Sequence, residues 1–401
     1  MTIRSIIFGS GIQFEYLRKI QNQNSGINRD FGNAVAISGD SNYIAAADKV
    51  AGSVQVFRRI GQYMTNYSQI SNTADSLSMS ENGSYIAVGN SAFSSSRGVV
   101  YIYNLLGTLL STIVPGDIVT GDRFGVSISI SSNGDTLAIG ATGANLIGGD
   151  NDGAVYVYTR SGSTWTQQAK IRSGSAAQNS YFGKSVSLSG DGNTLVIGST
   201  VDSGQSGLLS GAVYVYTRSG STWTQQAKIF DSAGVANDRF GDSVSISNDG
   251  NTIAVTSPQV YIGEATDGGS PNRGAAYIHT RSGSTWTQQA KLPGSKQKRN
   301  PSTSKVYLSK DGNTLLFAFT GSFVLGPQAI SGGGIAFVYS RAGNVFSEIR
   351  YINDPGGESF SGFGTDIAIS FDGQFLIIGA PDEDGDAGGT TDNGVIYTSV
   401  R

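Results

Sequence analysis

Cysteine is missing from all 401 residues, which excludes disulfides, thiolate catalysis and cysteine-ligated metals. Histidine appears once, as His279, so a Ser-His-Asp set or a histidine-rich metal site has almost nothing to be built from. Charged residues make up only 14%, and 27 Lys plus Arg face 30 Asp plus Glu for a net charge of -3. The basic field that nucleic acid requires is therefore absent. No apolar run reaches the roughly 18 residues of a membrane-spanning helix. The opening string "MTIRSIIFGSGIQFEY" is too short an apolar stretch for a Sec signal, so the expectation is a chain with neither membrane span nor export leader. Long amphipathic helices are also missing, because no segment keeps a 3.6-residue apolar period. What is plentiful is glycine, 56 residues against 8 prolines, the composition of many short strands joined by turns.

The strands come in copies. "TRSGSTWTQQAK" is spelled identically at 159–170, 217–228 and 280–291. Ahead of these strings stand "DRFGVSISISSNGDTLAIGA" (122–141), "SYFGKSVSLSGDGNTLVIGS" (180–199) and "DRFGDSVSISNDGNTIAVTS" (238–257). With the Phe-Gly pair as origin, seven copies begin near Phe31, Thr73, Phe124, Phe182, Phe240, Ser302 and Phe363. Each places a serine seven positions on, at Ser38, Ser80, Ser131, Ser189, Ser247, Ser309 and Ser370, including the two copies that lack Phe-Gly.

Each copy divides into four short strands; in the fourth these are "SVSLS", "TLVIG", "GAVYVYTR" and "WTQQAKI". The first turn, "GDGN" and its variants, is a tight hairpin, and Gly162, Gly220 and Gly283 serve the turn before the outer strand. Repeated four-stranded antiparallel units predict an all-β, seven-bladed β-propeller. The last copy ends without an outer strand, and "FEYLRKI" (Phe14–Ile20) aligns with "WTQQAKI". The expectation is thus an extension at 1–11 and a single propeller domain at 12–401, with strand 12–20 completing blade seven.

Phe-Gly, "IGA" or "GAP" (Gly379, Ala380, Pro381) and "GAVYVY" together resemble the FG-GAP repeat family, whose best-known members form the seven-bladed head of integrin α-subunits. The "WTQQAK" strand and "SGDGNT" turn look more like the bacterial and phage branch. The resemblance covers the chain from about Phe14 and implies a propeller with a surface or extracellular binding role. The integrin-type calcium loop is replaced here by the shorter "SGDGNT" turn, which has too few alternating carboxylates for six to eight oxygen ligands, so the family's calcium sites do not carry over.

A separate acidic string, "PDEDGDAGGTTDNG", sets Asp382, Asp384 and Asp386 in alternation with Asp392 beyond. Such a loop either holds Ca²⁺ or is solvated; Ala387 stands where a calcium loop has glycine, and no closing Glu is present. "GGDNDG", with Asp150 and Asp152, is a weaker version. His279 replaces the last Tyr of a "GAVYVY" strand and reads as a blade-face residue rather than an acid-base group. Trp165, Trp223 and Trp286 read as pins holding the outer strands to their blades in preference to sugar platforms, and Tyr156, Tyr158, Tyr214 and Tyr216 as packing.

Connections in an up-and-down blade alternate between two faces. The first-to-second and third-to-outer turns are short and uniform, whereas the other face carries long loops that all differ, and diversified loops on a rigid scaffold are where binding concentrates. Tyr261, Glu264, Asp267 and Arg273 lie on one such loop, and Lys296, Lys298 and Arg299 on another that would suit an anionic glycan or acidic protein. The reading is a non-enzymatic binding or structural module of a virion or cell surface: a phage fibre, decoration or host-recognition protein. Its partners would be surface proteins, glycans or other virion proteins, with no required cofactor. A bacterial surface adhesin and a propeller hydrolase or lyase acting on glycans are the alternatives; a glycosidase needs a carboxylate pair about 5 to 10 Å apart, which here would have to form across loops.

Overall fold

The computed structural model describes residues 17–21, 30–61, 63–145, 151–174, 179–202, 209–260, 274–294, 303–321, 323–325, 328–330, 333–354, 361–383 and 394–400. They form seven four-stranded antiparallel sheets around a central axis. In the fourth blade the strands are Phe182–Leu188, Thr194–Ser199, Ala212–Ser219 and Thr222–Ile229, paired in chain order from the axis outward. The ring closes as expected: Arg18–Gln21 pairs with Val395–Val400 as the outer strand of blade seven. Its register repeats that of the complete blades, since Lys19 faces Tyr397 and Ile20 faces Ile396 just as Lys228 faces Tyr214 and Ile229 faces Val213.

Each hairpin turn is clasped by the serine that marks every copy. Ser189 Oγ donates to Asp191 Oδ1 and accepts the Thr194 N–H at 2.9 Å, and Asp191 Oδ1 also accepts the Asn193 N–H at 2.9 Å. Ser38, Ser80, Ser131, Ser247, Ser309 and Ser370 do the same with Asp40, Asn82, Asn133, Asp249, Asp311 and Asp372. All seven serines are buried. A buried hydroxyl with both donor and acceptor satisfied costs little and fixes the turn. The turn carboxylates are thus turn caps, and accepting these bonds outweighs partial burial to hold Asp191 below its ordinary pKa.

Seven hydrophobic clusters fill the ring, each made by two neighbouring blades; one joins Val155 and Val157 of blade three to Leu188, Ile197 and Tyr214 of blade four. The Phe-Gly and "IGA" signatures are the two halves of this junction. A Cβ on Gly140 would lie 2.1 Å from the Gly183 carbonyl of the next blade, and one on Gly198 2.1 Å from that of Gly241. Glycine is thus required where two backbones touch. At the two junctions entering copies without Phe-Gly, the facing residue is Ala47 or Thr256.

The identical outer hairpins are also explained by contacts between blades. A bulge between Val157 and Tyr158 leaves Gln168 of blade three unpaired in the ladder, and its Oε1 accepts the Trp223 indole N–H of blade four at 3.0 Å. Gln226 and Trp286 repeat this between blades four and five at 2.9 Å. Arg218 and Arg281 stack over Trp223 and Trp286, both at 5.4 Å. Trp223 and Trp286 are structural, as the sequence indicates, and their N–H groups hold the preceding blade.

Candidate functional site

The first strands of the blades line the axis, and their residues decide what the axis can hold. The fourth position after each origin is aliphatic in every blade, from Val35 to Ile367, and these side chains ring a funnel of about 650 Å³. Deeper in, Tyr307 lines both the funnel and a cavity of only about 20 Å³ beneath it, so its ring separates the two. Burial beside Asp366 raises its phenol to about 12, keeping it neutral.

The far end of the axis is sealed by main chain. Gly39 N–H donates to Glu81 O at 2.8 Å, Glu81 to Ser132 at 3.0 Å, Ser132 to Gly190 at 3.0 Å, Gly190 to Asn248 at 3.0 Å and Asn248 to Lys310 at 2.8 Å. Asp311 N–H to Phe371 O and Phe371 N–H to Gly39 O, both 3.4 Å, complete the circle. These residues stand at the head of the clasped turns. The short-turn face therefore closes the axis, and the funnel opens among Lys49, Ser91, Arg123, Thr303 and Asp382, which belong to the connections of the long-loop face.

Inner strands are stitched to one another by serine. Ser78, Ser129, Ser187 and Ser245 accept the N–H groups of Ile130, Leu188, Ile246 and Leu308 in the next blade. Where the stitching changes, charge enters the funnel. Asp242 Oδ2 accepts the Ser304 N–H at 3.0 Å, and Asp366 Oδ2 accepts the Val35 N–H at 2.8 Å while Oδ1 pairs with Lys305 at 3.2 Å. Lys49 pairs with Asp75 at 2.8 Å and Arg239 with Asp242 at 3.5 Å. Lys184 also lines the funnel; burial lowers its pKa, and the cations Lys305, Arg239 and Arg123 add to this against the pull of Asp242.

Arg123, Tyr181 and Arg239, each directly before a Phe-Gly pair, are left-handed at φ 59°, 54° and 62°. The conformation is held by the following Phe N–H, which donates across to Arg97, Asp152 and Ser210 carbonyls at 3.1, 3.1 and 2.9 Å. Non-glycine residues adopt it at a cost of about 1 kcal/mol or more.

A second set of polar groups lies farther out on the same face. Tyr214 donates to Asp202 Oδ2 at 2.5 Å, with Lys228 on Oδ1 at 2.9 Å; Tyr277, Asp231 and Lys291 repeat the arrangement. In blade seven the carboxylate is Glu383, which is fully buried and meets Lys19 at 2.8 Å and the Tyr397 hydroxyl. Burial raises Glu383 to about 6.

Of the residues singled out from sequence, Tyr261, Glu264, Asp267, Arg273, Lys296, Lys298, Arg299, Asp384, Asp386 and Asp392 lie outside the described residues, as does Asp150. Asp382 lines the funnel mouth. No group of three or more metal-ligating side chains gathers among the described residues. His279 is 4% exposed on the blade face, edge-on to Phe240 at 6.3 Å. The charged funnel is not among the features read from the sequence, although one signal lies there: the second position after the origin runs Asn33, Asp75, Val126, Lys184, Asp242, Ser304 and Thr365, while the fourth stays aliphatic.

The model of the FG-GAP repeat matches residues 108–158, 165–216 and 223–279. No curated protein matches the sequence. Among solved structures, the hydrazine synthase of Kuenenia stuttgartiensis is similar at a TM-score of 0.58 and 15% identity, over 90% of this chain and 96% of that one; the likeness concerns the fold alone. Three stretches of the chain thus match the FG-GAP repeat, and they lie within a closed β-propeller of seven four-stranded blades.

Proposed function

We propose that the protein is a non-enzymatic binding and structural module of a virion or cell surface, and that it meets its partner through the long-loop face. The observation that carries this reading is the difference between the two ends of the axis. One is closed by a circle of backbone hydrogen bonds above clasped, near-identical turns; the other opens into a funnel bordered by loops of unlike sequence. A rigid ring with one closed end and one open, variable end suits display of a recognition surface. The carboxylates of the hairpin turns are engaged as hydrogen-bond acceptors, which supports a fold that needs no metal. The only histidine is buried on a blade face, so it is not presented to a partner at the long-loop face.

Immunogold labelling of purified virions and of intact cells tests the location. Gold on particles is the expected result; gold on cells alone selects the adhesin reading, and gold on neither refutes both. Exchange of the 261–273 and 295–302 loops for Gly-Ser linkers then tests the face, with loss of attachment expected while the exchanged proteins remain folded.

A further inference from the structure

We infer that the funnel mouth is a binding site for a saccharide carrying a single carboxylate, held between Arg123 and Lys184. This deepens the assignment of binding to the long-loop face and rests on it. Three observations lead there.

The first is unpaired positive charge. Lys305, Arg239 and Lys49 each have a carboxylate partner, but the Arg123 and Lys184 side chains form no hydrogen bond or ion pair among the described residues. Lys184 is partly buried in the funnel wall, where an ammonium without a partner is costly. A bound anion would remove that cost. The nearby carboxylate of Asp242 draws on Lys184 electrostatically but makes no hydrogen bond or ion pair with it; its Oδ2 accepts from Ser304, and its Oδ1 lies 3.5 Å from the Arg239 guanidinium.

The second is polarity across the mouth. Arg123 and Lys184 come from blades three and four, whereas Asp366 and Asp382 come from blade seven and Asp30 from blade one, across the ring, with Asp75 of blade two between the two arcs. Ionised carboxylates have about four acceptor sites each. Those on Asp75 and Asp366 are held in place by Lys49, Ser91, Lys305 and the Val35 amide, and retain capacity for hydroxyl donors. A ligand with one negative end and several hydroxyls matches both arcs. A dianion such as phosphate brings a second charge toward the acidic arc, where it is repelled.

The third is size and surface. A funnel of about 650 Å³ falls within the range of small-molecule pockets and has room for a sugar or a short oligosaccharide. Tyr181 takes, before the Phe-Gly pair of blade four, the place that Arg123 takes in blade three; it is exposed, and a phenol ring is a suitable stacking surface for a pyranose.

The test is calorimetric titration of the full chain with sodium glucuronate, glucose and inorganic phosphate. Glucuronate is expected to bind, with affinity at least tenfold lower in Arg123→Gln and in Lys184→Met and unchanged in Arg59→Gln, a substitution at the opposite face. Glucose and phosphate are expected to bind at least tenfold more weakly than glucuronate. Lys184→Met is also expected to melt at a higher temperature than the wild type, because it removes an unpaired cation, so its loss of binding cannot be ascribed to unfolding. A glucuronate-containing tetrasaccharide separates the two sources of such a ligand: tighter binding than the monomer supports a polysaccharide end, and equal binding supports the free acid. Absence of glucuronate binding, binding unaffected by both funnel variants, or equal binding of phosphate overturns the inference. If glucuronate fails while the loop exchanges still abolish attachment, this inference alone falls and the long-loop assignment stands.

Discussion

Replacing His279 by the residue that neighbouring blades use should stabilise the protein, and more so in acid. His279 is 4% exposed, and its Nδ1 is buried with no hydrogen-bond partner. Its cross-strand neighbour is Gln288, as Gln167 and Gln225 are for Tyr158 and Tyr216, whose hydroxyls reach those glutamines at 3.3 Å. Burial lowers the imidazole from 6.5 to about 4, with Asp231 opposing. A base with a depressed folded pKa stabilises fully above its unfolded value, and that stability is lost as pH falls through the window from 6.5 to 4. At 1.36 kcal/mol per unit the whole loss is about 3 kcal/mol, of which about 2 kcal/mol has gone by pH 5. His279→Tyr abolishes this loss and restores the bond to Gln288, worth about 1 kcal/mol. Urea denaturation of both proteins at pH 8 and pH 5 measures the difference. The expected advantage of the variant is about 1 kcal/mol at pH 8 and about 3 kcal/mol at pH 5. Equal advantages at the two pH values would refute a neutral buried imidazole, and a less stable variant at pH 8 would refute the repeat equivalence.

Glu383 titrates in the opposite sense: burial raises its folded pKa to about 6, so the stability it confers is complete below about 4.5 and is lost as pH rises through 6, an effect of about 2 kcal/mol. In a His279→Tyr background, Glu383→Gln should flatten that slope in urea titrations between pH 4.5 and 7. Gly153→Ala places a Cβ 2.1 Å from the Phe182 carbonyl at φ 84° and should cost more than about 3 kcal/mol or prevent folding, whereas Gly162→Ala, at φ 60° with open space around it, should cost about 1 kcal/mol. A double-mutant cycle of Gln226→Ala and Trp286→Phe should return a coupling of about 0.5–1 kcal/mol in thermal or urea melts; zero coupling would mean that the clip between blades contributes nothing.

The ring was legible because its signals recur in register. A serine seven places after every origin marks a turn whose geometry demands that hydroxyl, and Lys19 with Ile20 is enough to place the closing strand because the same pair ends the outer strands of blades three and four. The Phe-Gly dipeptide named the repeat without revealing its reason, since Gly140 against Gly183 is a contact between copies and no single copy displays it. The bulge at Gln168 was hidden too, because an alternating strand and a strand with one extra residue read alike until a partner fixes the register. The charged funnel was the hardest to foresee. Lys184, Asp242, Lys305 and Asp366 are scattered singly over about 180 residues and meet only because seven inner strands converge. The loop residues Tyr261 to Arg273 and Lys296 to Arg299 stand outside the described residues, so the long-loop face is known from its scaffold and its mouth.

The circle of amides from Gly39 to Phe371 has an electrical consequence. Each N–H points to the carbonyl of the next blade, so the peptide dipoles run head to tail around the axis, and the vectors of a closed loop cancel. A bundle of parallel helices would impose a potential along its pore; this seal contributes almost none. The field at the closed end is therefore set by the charged side chains gathered there, Glu81 and Lys310 among them, and not by the main chain that seals it.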